Sequence, residues 1–200
     1  MKKLVLSICV LLGVTATQAQ KLGVIGGVNF AKLNVTDEHF KNLTGGYGGV
    51  VVEQSLGKKF ALQSGLIYAS KGGADKHDGH MDKFQFMTLQ IPVLAAYKIP
   101  VGKNTVTIGA GPVLDIHTSG KLKSDDASEN TTFNFGSGAG EFKRTDLGIG
   151  AVAGLEFKNG VFIQARGTFG LTDLDNVANG SVRSNVFGIN GGYYFLRGKK

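Results

Sequence analysis

The segment Thr145–Leu171 alternates strictly between apolar residues and glycine or polar residues. The tight turn Lys158-Asn159-Gly160 divides it into two runs. An Asn-Gly turn between two alternating runs is typical of a β-hairpin, so we predict a hairpin with one apolar and one polar face. The apolar face would point inward in a soluble barrel but toward lipid in an outer-membrane barrel. The apolar set comprises Leu147, Ile149, Ala151, Ala153, Leu155, Phe157, Ile163, Ala165, Phe169 and Leu171.

The first nineteen residues are typical of a secretory signal peptide. A short basic segment, Met1-Lys2-Lys3, precedes the apolar run Leu4–Val14, which is too short to cross a bilayer as a helix. Thr17-Gln18-Ala19 fits a small-x-small cleavage site. We therefore predict a signal peptide over residues 1–19 and one outer-membrane barrel domain over residues 20–200.

Cysteine and charge narrow the class of protein further. The single cysteine, Cys9, lies in the predicted signal peptide, so the mature chain must be stabilised by strand pairing and burial rather than by disulfides. The formal charge is +7, and removing Lys2 and Lys3 leaves +5, since 20 basic residues then face 15 acidic ones. The basic residues are scattered rather than clustered, which excludes a nucleic-acid partner.

Glycine is abundant, with 31 residues against only 3 prolines, and many glycines alternate within strand-like runs. Glycine weakens an ordinary strand. It is tolerated in a small barrel, where the wall bends and where side chains from other strands need interior space. The composition therefore favours a small closed barrel over a disordered chain.

Eight strand-like runs are joined by connections that alternate between short and long. The runs are Leu22–Phe30, Gly46–Leu56, Phe60–Ser70, Phe84–Ile99, Asn104–Thr118, Phe142–Phe157, Val161–Leu171 and Val182–Leu196. Tight turns alternate with long polar segments at 31–45, 71–83, 119–141 and 172–181. Short periplasmic turns, long external loops and an even strand number are typical of outer-membrane barrels. We therefore predict an all-β, eight-stranded, antiparallel, up-and-down transmembrane β-barrel in the bacterial outer membrane. Membrane lipids would surround it, and the four long segments would contact envelope or secretion proteins.

Charged residues on the polar strand faces predict a filled lumen. Eight strands enclose only enough space for side chains, and charges buried there must be paired or solvated. We predict a structural polar network in the lumen rather than a conduction path. Its members are Glu53, Lys98, Asp115, Glu156 and Arg166.

Three stretches resemble the Bacteroidetes-type outer-membrane β-barrel family that is often labelled PorT-like. They are FALQSGLIYASK at Phe60–Lys71, TLQIPVLAAY at Thr88–Tyr97, and the glycine-rich hairpin Leu147–Leu171. Gln90 stands where the family usually has Glu, and five residues follow the last aromatic, Phe195. The resemblance covers the mature chain and implies an eight-stranded outer-membrane barrel. Some relatives are associated with a protein secretion system.

Other motifs favour neither a cofactor nor a metal. The glycine pattern Gly148–Ala153 lacks the following helix that a dinucleotide site needs. The histidines and acids of two polar segments lack the spacing of a zinc or calcium site. These residues are His77, His80, Asp75, Asp78, Asp82, Asp125, Asp126 and Glu129. We therefore predict no cofactor and no metal.

One set of residues suits a lipid-acting hydrolase, because His117 and Asp115 share a strand face and Ser119 follows them. Catalytic triads are defined by spatial geometry, so this proximity is a weak indication. We predict a non-enzymatic, monomeric scaffold or interaction protein, with a role accessory to secretion as one form of it. The alternatives are a narrow solute pore, a lipid-modifying hydrolase and a soluble ligand-binding barrel similar to lipocalins.

Overall fold

A computed structural model describes residues 20–35, 38–39, 41–77, 80–123, 131–133, 135–136, 143–172 and 182–198. The predicted signal peptide lies outside these residues. Eight long strands form the wall of a barrel, and the short strands β2 and β7 extend it by pairing with β1 and β6. The strands are β1 Gln20–Val35, β2 Glu38–His39, β3 Lys41–Ser55, β4 Phe60–His77, β5 His80–Val101, β6 Asn104–Lys123, β7 Thr131–Phe133, β8 Thr145–Glu156, β9 Val161–Gly170 and β10 Val182–Arg197.

The wall closes because its first and last strands pair. β1 and β10 are antiparallel, and their register runs from Lys21 opposite Arg197 to Val35 opposite Val182. Every other neighbouring pair in the wall is also antiparallel. This closed antiparallel pairing confirms the predicted eight-stranded, antiparallel, up-and-down barrel. The described residues contain no helix long and apolar enough to cross a membrane.

Three short turns and both ends of the described chain lie at the same end of the barrel, which we call the turn end. Gly57, Gly102 and Gly160 have φ values of 103°, 60° and 94°, a region that side chains with a Cβ rarely adopt. Each of these glycines allows a strand to reverse within a few residues. Gly198 N donates to Gln20 O at 2.8 Å, which holds the two chain ends together. We call the opposite end the loop end.

The predicted hairpin faces are observed with the apolar side outward. Leu147 and Ile163 are 55% and 53% exposed, whereas Gln164 and Arg166 on the other face are only 5% and 8% exposed. The same pattern continues around the wall, where large apolar side chains are exposed and polar ones are buried. A soluble barrel would place these faces the other way round, so the lipocalin-like alternative is wrong.

Two of the predicted long loops are wrong, because most of their residues belong to strands. Within the segment 31–45, β1 continues to Val35 and β3 begins at Lys41. Within the segment 71–83, β4 continues to His77 and β5 begins at His80. Backbone pairing needs no apolar side chains, so a strand continues after its lipid-facing pattern stops. In the segment 119–141, β6 continues to Lys123 and β7 covers residues 131–133. Of the segment 172–181, only Thr172 is described.

The strands differ greatly in length, so one side of the wall extends well beyond a membrane. β9 has 10 residues, which is about the length that a tilted strand needs to cross the hydrocarbon core. β5 has 22 residues. At about 3.3 Å per residue it is about 70 Å long. We call the loop-end parts of three strands the extended wall, namely residues 71–77 of β4, 80–86 of β5 and 119–123 of β6.

Inward glycines leave the space that large lumen side chains fill. A Cβ placed on Gly192 would lie 2.2 Å from Phe162 Cζ, and one on Gly150 would lie 2.6 Å from Val113 Cγ2. Real atoms do not approach so closely. These positions therefore exclude any larger residue unless the surrounding atoms move, and at Gly192 these atoms include the backbone oxygen of Val24 at 2.4 Å.

We expect Gly192→Ala to destabilise the barrel by about 1–3 kcal/mol, since the new methyl group overpacks the lumen against the Phe162 ring. The matched control is Gly191→Ala on the outer face, where the nearest atom to an added Cβ, Phe162 O, is 3.7 Å away. Urea unfolding of the refolded barrel in detergent measures both. Equal stability of the two variants would contradict the packing described here.

Candidate functional site

The candidate site is the lumen, which holds charged residues at both ends and a mostly apolar filling between them. Its polar side chains come from the inward positions of all eight wall strands. The lumen side chains form an ion lattice, an apolar filling with Arg166 beside it, a second ion pair and an aromatic group, in order from the turn end to the loop end.

An ion lattice of Lys21, Glu53, Lys98 and Glu156 lies near the turn end. Lys98 Nζ donates to Glu53 Oε2 at 2.6 Å and to Glu156 Oε2 at 3.0 Å. Lys21 Nζ lies 2.5 Å from Glu156 Oε1 and 3.2 Å from Glu53 Oε1. The Glu53 side chain is fully buried and also accepts a bond of 2.8 Å from Gln63 Nε2. Two cations thus balance two carboxylates and join β1, β3, β5 and β8.

An apolar filling follows the ion lattice. One cluster of buried side chains comprises Ile25, Val51, Ile67, Phe162 and Tyr194. The Phe162 and Tyr194 rings are 4.7 Å apart between centroids. A second cluster comprises Leu94, Val113 and Val152. These side chains occupy the middle of the lumen, as the narrow radius of an eight-stranded barrel requires.

Arg166 lies beside the apolar filling without an ionic partner. It is 8% exposed, and its Nε and Nη1 atoms have no hydrogen-bond partner among the described residues. Tyr47 and Tyr194 are its electrostatic neighbours. Arg166 is therefore separate from the ion lattice, and no ion pair joins it to a described carboxylate.

A second buried ion pair lies nearer the loop end. The Lys71 ammonium donates to Asp115 Oδ2, and both side chains are almost completely buried. Gln90 Nε2 donates to Asp115 Oδ1 at 3.1 Å. Asp146 is also buried and stands opposite Asp115 in the β6–β8 register. Lys71 is thus the cation that holds Asp115 in the lumen.

His117 belongs to a buried aromatic group at the same end. Its Nδ1 lies 2.9 Å from Thr88 Oγ1. Its ring stacks on Phe135 at 5.6 Å between centroids and lies 5.8 Å from Phe86. Phe135 comes from the segment after β6, so this stack attaches that segment to the barrel.

The structure does not assemble the hydrolase set that the sequence indicated. His117 pairs with Thr88, while Asp115 is held by Lys71 and Gln90. A register shift between β5 and β6 places Ser119 opposite Met87 and His117 opposite Thr88. The extra residue of this bulge means that Gly120, rather than Ser119, takes the next fully buried position. In the described chain no hydrogen bond joins Ser119 to His117.

The network predicted from the sequence does not include two of the lumen cations, Lys21 and Lys71. Lys21 precedes the first predicted strand, and Lys71 falls in a predicted loop. Both continue the inward alternation of their strands, since Lys21 precedes the buried Gly23 and Ile25, and Lys71 follows the buried Ile67 and Ala69. Extending the period-two pattern beyond the lipid-facing residues would have identified them.

Among the described residues, no group of three or more His, Cys, Asp or Glu side chains is placed to hold a metal. Of the residues considered from the sequence, Asp78, Asp125, Asp126 and Glu129 lie outside the described residues.

We expect Lys98→Met to destabilise the barrel by about 3–5 kcal/mol, because it leaves a buried lattice with one excess carboxylate. Lys98→Met combined with Glu53→Gln restores the balance of one cation and one anion. The double variant should therefore be more stable than the single variant. Urea unfolding in detergent gives both values, and a double variant less stable than Lys98→Met would contradict the charge-balanced lattice.

Known proteins support this architecture at the level of the family and the fold. The family model for the outer membrane protein beta-barrel domain matches residues 18–176. No functionally curated protein has detectable sequence similarity to the chain. Among solved structures, Neisserial surface protein A is similar with a TM-score of 0.51 and 13% identity, over 87% of this chain and 97% of that chain.

Two further solved structures are similar over most of both chains. OprG from Pseudomonas aeruginosa has a TM-score of 0.49 and 13% identity, over 89% of this chain and 98% of that chain. Ail, the attachment invasion locus protein of Yersinia pestis, has a TM-score of 0.47 and 14% identity, over 88% and 99%. Because the family model covers well over half of the sequence, the chain belongs to the outer membrane protein beta-barrel family and is a closed eight-stranded barrel of the bacterial outer membrane.

Proposed function

We propose that the protein is a non-conducting, non-enzymatic, monomeric barrel that anchors an interaction surface at the outer face of the outer membrane. The observation that carries this proposal is the filled lumen. A barrel whose interior is occupied by paired charges and apolar side chains offers its surroundings only its lipid-facing wall and its ends.

The ion lattice supports a closed lumen. It connects four strands near the turn end, and the apolar filling lies directly behind it. Three cavities in the described lumen have volumes of about 10 to 20 Å³, enough for single water-sized particles. A solute or hydrated ion would have to displace the lattice to pass. The solute pore is therefore the weaker candidate.

The extended wall supports an interaction role. β4 and β5 are paired as far as His77 opposite His80, and β5 and β6 as far as Lys83 opposite Lys123. β7 adds to β6, and Phe135 stacks on His117. Paired strands present a surface that loses little conformational entropy when it is bound, which suits contact with another protein.

The partner class is an envelope or secretion protein. The PorT-like resemblance of Phe60–Lys71, Thr88–Tyr97 and Leu147–Leu171 supports a role accessory to a secretion system. The hydrolase alternative has weaker support, since His117 and Thr88 are buried and no hydrogen bond joins Ser119 to either of them in the described chain.

In planar bilayers, we expect the wild-type barrel to give no discrete single-channel steps, because the lattice and the apolar filling close the lumen. Two variants that each remove one charge show whether any conductance steps depend on the lumen. Glu156→Gln alters the lattice, and Lys59→Gln alters an exposed turn. Wild-type steps that change with Glu156→Gln but not with Lys59→Gln would show a conducting lumen and contradict the proposal.

Site-specific crosslinking in intact cells tests the interaction surface. Because Cys9 lies in the predicted signal peptide, an introduced cysteine would be the only one in the mature chain. Lys121→Cys places the thiol on the exposed face of the extended wall, and Lys58→Cys places it in a turn at the other end. We expect a membrane-impermeant thiol crosslinker to join Lys121→Cys, but not Lys58→Cys, to an envelope protein. Absence of any adduct from Lys121→Cys would count against this surface.

A further inference from the structure

Arg166 is the buried cation of the lumen whose charge no described residue balances. Three other lumen cations, Lys21, Lys71 and Lys98, each pair with a carboxylate. Arg166 is equally enclosed, yet its Nε and Nη1 atoms have no hydrogen-bond partner in the described chain. A buried charge without a counter-ion is strongly unfavourable, so this position calls for a compensating negative charge.

A cavity next to Arg166 has the chemistry of an anion site. Its volume is about 20 Å³, and its lining includes Tyr47, Lys71, Gln90, Arg166 and Thr168. Two of these residues are cations and none of the lining residues is a carboxylate. Hydroxyl and amide groups supply further hydrogen-bond donors. Since Lys71 is neutralised by Asp115, the excess positive charge in this cavity comes from Arg166.

We propose that this cavity binds one small monovalent anion of the halide type, chloride in physiological media, as the counter-ion of Arg166. The volume admits a single particle close to the size of water. Sulfate, phosphate and organic carboxylates are therefore too large. A water molecule fits but leaves the charge uncompensated. The site is independent of the proposed anchoring role, because it requires no partner at either end of the barrel.

Anion-dependent stability tests the proposal in solution. The mature barrel in detergent is unfolded with urea in sodium chloride or sodium gluconate at the same ionic strength. Mass action predicts that chloride at ten times its dissociation constant raises the folded-to-unfolded ratio about tenfold, and that the ratio continues to rise with chloride concentration. Sodium sulfate at equal ionic strength should behave like gluconate. Equal unfolding curves in chloride and gluconate would overturn the proposal.

Three variants assign the effect to Arg166. Arg166→Met should remove the chloride response and remain folded in gluconate, because an apolar side chain replaces an unbalanced charge. Arg166→Lys keeps the charge and should keep part of the response. Arg144→Met is the matched control, since it removes an exposed arginine outside the lumen and should leave the response unchanged. A full chloride response in Arg166→Met would place the anion elsewhere and overturn the assignment.

Crystals of the wild-type barrel grown in sodium bromide test the location without any variant. We expect an anomalous bromide peak within hydrogen-bond distance of Arg166 Nε or Nη1. Absence of a peak beside Arg166 in well-ordered lumen density would overturn the proposed site.

Discussion

The pairing of β1 with β10 is the constraint on which the rest of the structure depends. In a bilayer, backbone groups have no water to bond, so a sheet must close on itself to cross. Closure with eight strands fixes a narrow radius, and the inward side chains of facing strands must then pack together to fill the interior. The glycines opposite Phe162 and Val113, the ion lattice and the apolar clusters all follow from that radius. The apolar outer face follows from the surrounding lipid.

The period-two pattern of the sequence was enough to predict the strand number, the topology and the side of the wall that faces lipid. It could not predict where strands end at the loop end, because backbone pairing continues there without apolar residues. For this reason the pattern predicts loops at 31–45 and 71–83, where the structure has mostly strands. It also could not predict which charges meet, since contacts across the lumen depend on strand register. Asp115 therefore meets Lys71 rather than Lys98, and Arg166 stands apart from the lattice.

The lumen charges are distributed unevenly along the barrel. Near the turn end, two cations and two carboxylates neutralise one another within four strands. Toward the loop end, Asp115 and Asp146 lie near one lysine, while Arg166 lies deeper without a carboxylate. The packed side chains around these charged groups keep them from changing partners. The distribution of charge along the barrel axis is therefore set by the position of each residue along its strand.

The difference in length between β5 and β9 has a consequence for access to the barrel. Among the described strands, β5 has 22 residues and β9 has 10, and only β6 and β8 separate the two in the wall. The rim is therefore oblique rather than level. A molecule moving within the lipid head groups meets the tall side of β4 to β6 as an upright surface. Among the described strands, the membrane therefore meets a wall of uneven height, which is tallest at β4 to β6.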